Sequence, residues 1–158
     1  MTASNPQFNV AEFMNESIDG VLDTKIDPIP EGEHMAQIGT GEKDIDVSSG
    51  ISPKNNKPWL RLDMMLDFTD PNLATLLKRE KVRGRYSIML DLNEAGKLDT
   101  RPQRNVNLGK LRDAVSQNRA GAWNFNMLKG QPIKVKIKQK QLDSGDTVSE
   151  VVAVTKAL

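Results

Sequence analysis

Ile133-Lys134-Val135-Lys136-Ile137-Lys138-Gln139-Lys140 alternates apolar and cationic side chains with a period of two. In a strand that period sends Ile133, Val135 and Ile137 to one face, and Lys134, Lys136, Lys138 and Lys140 to the other. One face in a core and one in water is the pattern of a half-buried antiparallel strand. The lysine row serves either as a solvated face or as a surface for a polyanion. The choice depends on whether neighbouring elements extend it.

Two more stretches have the same period. Trp59–Phe68 places Leu60, Leu62, Met64, Leu66 and Phe68 on one side, with Trp59, Arg61, Asp63, Met65 and Asp67 on the other. Val82–Leu92 places Tyr86, Ile88, Leu90 and Leu92 inward and Arg83, Arg85, Ser87, Met89 and Asp91 outward. Gly84 interrupts the inward row and reads as a bulge or bend. If these two strands pair, their outward sides carry a Trp beside three Arg. A flat ring and a cation are what a base-stacking surface needs.

The remaining elements are placed around these. A first strand is expected from about His34 to Val47, entered through Ile29-Pro30-Glu31-Gly32-Glu33. Glu42, Asp44 and Asp46 would share one face of it. They lack the glycine and glutamate of a calcium loop, so they read as a polar face rather than a metal site. Ser48–Pro58 is a loop by composition, with Lys54 and Lys57 just before Trp59. Leu73–Glu80 reads as a helical turn. Asn105 or Asn107 is a plausible N-cap for a helix that groups Leu108, Leu111, Ala114 and Val115. Asp143-Ser144-Gly145-Asp146 turns the lysine strand into a final strand, Val148–Leu158, with Val148, Val151, Val152 and Val154 mainly inward. The expected fold is therefore mainly β: a five-stranded OB-like antiparallel barrel with one helix between strands three and four.

Charge is uneven along the chain. Residues 1–50 hold ten acids and two bases, a net of −8, and residues 51–158 hold eleven acids and twenty bases, a net of +9. Such a split points to a polyanion partner for the basic part, or to neutralisation of one part by the other. The expected organisation is an acidic N-terminal arm over residues 1–30 and an OB-like nucleic-acid-binding domain over 31–158. In the arm, Val10, Phe13, Met14, Ile18 and Leu22 allow one or two amphipathic helical turns. There is no cysteine, hence no disulfide or thiol chemistry. No apolar run is long enough to span a membrane, and Met1–Gln7 lacks the basic start of a secretion signal. A host-cytoplasmic location is expected.

Catalytic patterns are missing. His34 is the single histidine and has no clustered second ligand. There is no glycine-rich phosphate loop ahead of a Lys-Ser/Thr pair and no zinc spacing. A non-enzyme with no cofactor and no metal is expected.

Several segments carry a resemblance to a known family. They are Ile29-Pro30-Glu31-Gly32-Glu33-His34, Gly84-Arg85, Leu108-Gly109-Lys110-Leu111-Arg112-Asp113-Ala114, and Leu128-Lys129-Gly130 ahead of the lysine strand and closing hairpin. Through them the chain resembles the phage single-stranded DNA-binding proteins with an OB-like domain, over most of residues 8–158. The resemblance implies a role in phage replication or recombination. One departure is the carboxyl end, Val154-Thr155-Lys156-Ala157-Leu158, where many such proteins have an acidic tail.

The expected function is sequence-independent binding of single-stranded DNA by base stacking and cationic backbone contacts. The expected contacts are Lys54, Lys57, Trp59, Arg61, Arg83, Arg85, Trp123, Lys134, Lys136 and Lys138, with the lysine strand in a supporting role. Replication or recombination proteins are candidate partners for the acidic arm, and self-association stays open. The alternative is a phage accessory or structural protein that docks another protein through the barrel, its lysine strand then being a protected edge.

Overall fold

The computed structural model describes residues 8–157. The expectations for Met1–Gln7 and for Leu158 at the end of the last strand lie outside those residues. The described chain is mainly β, with three short helices and one antiparallel sheet of six strands. In chain order these are α1 (Val10–Met14), β1 (Gly32–Ile38), β2 (Ile45–Ile51), β3 (Pro58–Phe68), α2 (Pro71–Leu77), β4 (Arg83–Leu90), α3 (Val106–Ala114), β5 (Pro132–Gln141) and β6 (Thr147–Lys156). A single 3-10 turn, Phe125–Leu128, precedes β5.

The strand at the centre is β3. Its inward row, Leu62, Met64, Leu66 and Phe68, is buried, and the residues between are only half-buried. One edge of β3 is shared by β2 (Leu62 opposite Val47) and β1 (Leu66 opposite Ile38); the other is taken by β4 (Leu62 opposite Ile88). On its far side β1 pairs with β5, and β5 with β6. The inward rows of β1 and β5 meet this core: Ile38, Ile133, Val135 and Ile137 are at most 1% exposed. Leu108, Leu111 and Ala114 of α3 complete it, as their helical spacing predicts.

The expected first strand is in fact two. The chain leaves the ladder after Ile38 and rejoins it at Ile45. Gly39 N donates to Met65 O (2.9 Å) and Met65 N donates to Asp44 O (2.8 Å), so β3 keeps its hydrogen bonds across the gap. The Asp44 carboxylate folds back to accept from Gly41 N at 2.8 Å. A Cβ on Gly39 would stand 2.3 Å from Asp44 Oδ2, so this turn requires glycine there. The strand then runs on to Ile51, into the stretch expected as loop. The sheet thus has six strands rather than five, and it is not closed into a barrel: β4 and β6 form no ladder.

Other expectations change locally. Gly84 makes no bulge, since the β3–β4 register runs through it unbroken. It makes room instead: a Cβ there would stand 3.0 Å from Phe68 Cε2. The register shift lies in the β5–β6 pair, between Lys136 and Ile137. Around it Val151 and Val154 are buried, whereas Val148 and Val152 are exposed. Asn105 occupies the N-cap position of α3 but does not cap it. At φ 52° its side chain turns away, accepting from Asp91 N (2.8 Å) and donating to Asp91 O (3.0 Å) and Asp99 O (2.8 Å). His34 is a strand residue: its Nε2 lies 2.7 Å from Pro30 O, and its ring stands edge-on to Phe68.

The arm, residues 8–27, is exposed throughout. Ile29 is its first buried residue, two positions ahead of the domain boundary expected at Glu31. Gln139 Nε2 donates to Ile29 O (3.2 Å), and Arg79 Nη2 donates to Asp27 O. Among the described residues no helix is long and apolar enough to cross a membrane.

Asp99, the one buried charged residue among those described, is 3% exposed. It is held by Arg101 through Nε–Oδ1 at 3.0 Å and Nη2–Oδ2 at 2.7 Å. These bonds, with the Arg101 N–H, outweigh desolvation and lower the Asp99 carboxyl from 3.8 to about 2. A depressed carboxylate contributes fully above its unfolded value and loses that contribution as pH falls through the folded one. Asp99→Asn is expected to be less stable than the parent at neutral pH and to show a flatter acid limb between about pH 4 and about pH 2. Urea denaturation across that range checks this; parallel stability–pH curves would contradict it.

Candidate nucleic-acid interface

The outward faces of β2, β3 and β4 form one surface. Pairing aligns Gly50 with Trp59, Ser48 with Arg61 and Met89, Asp46 with Asp63 and Ser87, Met65 with Arg85, and Asp67 with Arg83. Lys54 and Lys57 lie on the exposed β2–β3 loop at the Trp59 end. Six of the ten expected contacts therefore share one side of the sheet and its adjoining loop.

Trp59 has a built seat. Its indole covers Gly50, where a Cβ would fall 2.5 Å from Trp59 Cζ2. Only glycine lets the ring settle onto the strand backbone. The Arg61 guanidinium lies 5.7 Å from the ring centroid, within cation–π reach. The ring remains half-exposed at the end of the sheet.

The cations differ in their freedom. Arg61 Nε stands 2.9 Å from Asp63 Oδ1. Partial burial raises the Asp63 pKa, but the Ser87 hydroxyl, Arg61 and the Ser48 hydroxyl outweigh it, so the carboxyl stays below its ordinary value. Arg83 is bound on both sides, to Asp67 (Nε–Oδ1, 2.6 Å) and to Asp44 (Nη2–Oδ2, 2.9 Å). The Gly41 N–H first, and then Arg83, hold the Asp44 carboxyl low, and Asp67 and Asp44 raise Arg83 in turn. Arg83 therefore ties the β1–β2 turn to β3. A phosphate would have to compete with two carboxylates for it. Among the described residues, Arg85, Lys54 and Lys57 have no ion-pair partner and are exposed. Asp46, Asp63 and Asp67 make the face mixed in sign rather than uniformly basic.

The other four expected contacts lie elsewhere. Trp123 follows α3 and is half-buried against the core. Its Nε1 donates to Gln117 Oε1 at 2.7 Å, Phe125 packs edge-on at 5.0 Å, and the Arg112 guanidinium covers it at 4.6 Å. That indole is already partnered on its N–H, its edge and one face. Arg112 is half-buried for the same reason. Lys134, Lys136 and Lys138 lie on the outward side of β5. Lys134 Nζ is 4.0 Å from Glu33, Lys136 is aligned with Glu33, and Lys138 with Glu150. Cross-strand acids thus moderate the lysine ladder. Among the described residues no group of three or more His, Cys, Asp or Glu side chains is placed to hold a metal ion.

Sequence reasoning missed Gly50 and Asp44. The signal for Gly50 was a small residue at the end of a polar stretch, legible only once its register against Trp59 is known. Gly50→Ala is expected to dislodge the Trp59 ring. In a Trp123→Phe background, where Trp59 is the one remaining indole, its emission should shift to the red while the fold is retained. Unchanged emission would show that Trp59 does not rest on Gly50.

Comparison with known proteins adds no family: no protein-family model matches the chain, and no curated protein matches it.

Proposed function

We propose that this chain is an OB-like domain, opened along its β4–β6 seam, that binds single-stranded nucleic acid on the outward face of β2, β3 and β4. Three features of the sheet support the OB-like part. β1 and β2 divide between them one edge of β3, as a single bent first strand would. β1 and β3 to β6 follow one another as five strands do in that fold, with α3 between the third and fourth of them. The edges of β4 and β6 lie near each other without pairing, and α3 packs against both.

The observation that carries the binding proposal is Trp59: a half-exposed ring seated on Gly50, flanked by Arg61 and next to the Lys54–Lys57 loop. Any base has a face to stack on such a ring, so the contact is indifferent to sequence. Arg85, Lys54 and Lys57 supply backbone attraction that weakens with salt. Lys134, Lys136 and Lys138 add long-range attraction from β5, which β1 separates from β3. Single-stranded DNA of a replication or recombination intermediate, in a phage-infected host, is the proposed ligand; the family resemblance favours it.

Trp59→Ala is expected to weaken binding of an oligo-dT by about 1–3 kcal/mol, roughly 5- to 150-fold, with the melting transition retained. Fluorescence anisotropy with labelled oligonucleotide measures it, and unchanged affinity would remove Trp59 from the site. Arg85→Gln should lower the slope of log K against log salt by about 0.7 for each phosphate that Arg85 neutralises in the parent protein. Arg83→Gln should change that slope less than Arg85→Gln does and lower stability more, because Arg83 is already engaged by Asp44 and Asp67. The reverse ranking would place the backbone at Arg83.

A further inference from the structure

The arm ahead of β1 has a pattern that the sheet does not use. Phe8, Val10, Phe13, Met14, Ile18, Val21, Leu22 and Ile26 are each at least 55% exposed. Glu12, Glu16, Asp19, Asp23 and Asp27 are interleaved with them. Wound at about 3.6 residues per turn, residues 8–27 put all five acids in an arc of roughly 80° and every one of those apolar side chains outside it. Yet only Val10–Met14 is helical, with Asn9 capping it through Glu12 N. Gly20, at φ +89°, stands where a longer helix would have to continue. A sequence that gathers its acids on one side of a helix yet remains mostly unwound and exposed has the character of a segment that folds on its partner.

A receiving groove is present on the same chain. Between α3 and β6, Ala114, Ala153 and Val154 form an apolar floor, with Lys110 and Lys156 at its lips and Asp113 beside them. Val106, largely exposed, lies one helical turn before Lys110 on the same stripe of α3. Charges complement: residues 8–27 hold five acids and one base, a net of −4, whereas residues 28–158 hold sixteen acids and twenty-one bases, a net of +5.

Geometry favours a neighbour's groove over the chain's own. The arm is rooted where Gln139 holds Ile29, near the end of β5, while the groove lies at the other end, where Lys156 pairs with Ile133. Six strand residues, about 20 Å, separate the two. With residues 8–22 docked as the helix, residues 23–28 reach about 20 Å when fully extended, so docking on the chain's own groove consumes the whole link, Asp27 included, whose carbonyl Arg79 holds. A second copy imposes no such limit.

We propose that the arm of one molecule folds into an amphipathic helix in the α3–β6 groove of a second copy of this chain, apolar face down and with Glu12 and Glu16 toward Lys110 and Lys156. Reciprocal exchange of arms closes a two-fold dimer. This does not depend on the nucleic-acid proposal.

Sedimentation velocity and far-ultraviolet circular dichroism of the full chain, from micromolar to submillimolar concentration, test it. The expected result is dimerisation with a parallel rise in helix content. Phe13→Asp combined with Ile18→Asp should keep the chain monomeric with its melting transition unchanged, because both side chains are exposed in the monomer. Lys110→Glu with Lys156→Glu should weaken the dimer roughly tenfold or more, and adding Glu12→Lys and Glu16→Lys should restore it. A chain monomeric throughout, a dimer indifferent to the arm variant, helix content independent of concentration, helix formation only on anionic lipid vesicles, or failure of the charge reversal to restore the dimer would each overturn the proposal.

Discussion

The alternation of β3 holds two surfaces in one strand. Leu62, Met64, Leu66 and Phe68 are the centre of the core, and the residues between them, with Trp59 at their head, are the centre of the outward face. Because side chains alternate with a period of two, a slip of one residue would send the arginine and aspartates inward and the leucines out. Burial of the inward row therefore fixes the register of β2 and β4 against β3. That register sets Gly50 beneath Trp59, Arg85 beside Met65 and Arg83 beside Asp67. Core and candidate site are consequences of the same constraint.

Most of the arginines are already engaged within the fold. Arg83 is shared by Asp67 and Asp44, Arg61 faces Asp63, Arg101 encloses Asp99, and Arg112 covers Trp123. These arginines hold turns and rings in place. The surface left for a polyanion is built on Arg85 and the lysines, whose charges are exposed and screened by salt. The proposed binding on such a face would draw its affinity in good part from stacking, which gives Trp59 more weight than the count of basic residues implies.

The period-two stretches were legible in the sequence. β3, β4 and β5 stand where the alternation of Trp59–Phe68, Val82–Leu92 and Ile133–Lys140 places them, except that β4 ends at Leu90 and leaves Leu92 exposed, and α3 buries the leucines its spacing groups. Side-chain contacts outside the alternation of a strand were not legible. The break after Ile38 depends on Asp44 folding back to Gly41 and on Met65 bonding both sides of the gap. Trp123 looks like a stacking ring until Gln117 and Arg112, both brought by α3 and the turn after it, are seen to occupy it. Arg83 looks free until Asp44 comes back across the sheet. The arm's amphipathic spacing was visible from the start, but only its exposure shows that the sheet does not use it.

The proposed path of single-stranded DNA runs over the β2–β3–β4 face, through Trp59. Backbone and indole NMR shift mapping during titration with an oligo-dT tests this most directly. The largest changes are expected on the Trp59 indole N–H and on residues of β2, β3 and β4 around it, including Arg85 and the Lys54–Lys57 loop, while the Trp123 indole stays nearly still. Shifts confined to the lysine side of β5, or centred on Trp123, would contradict it.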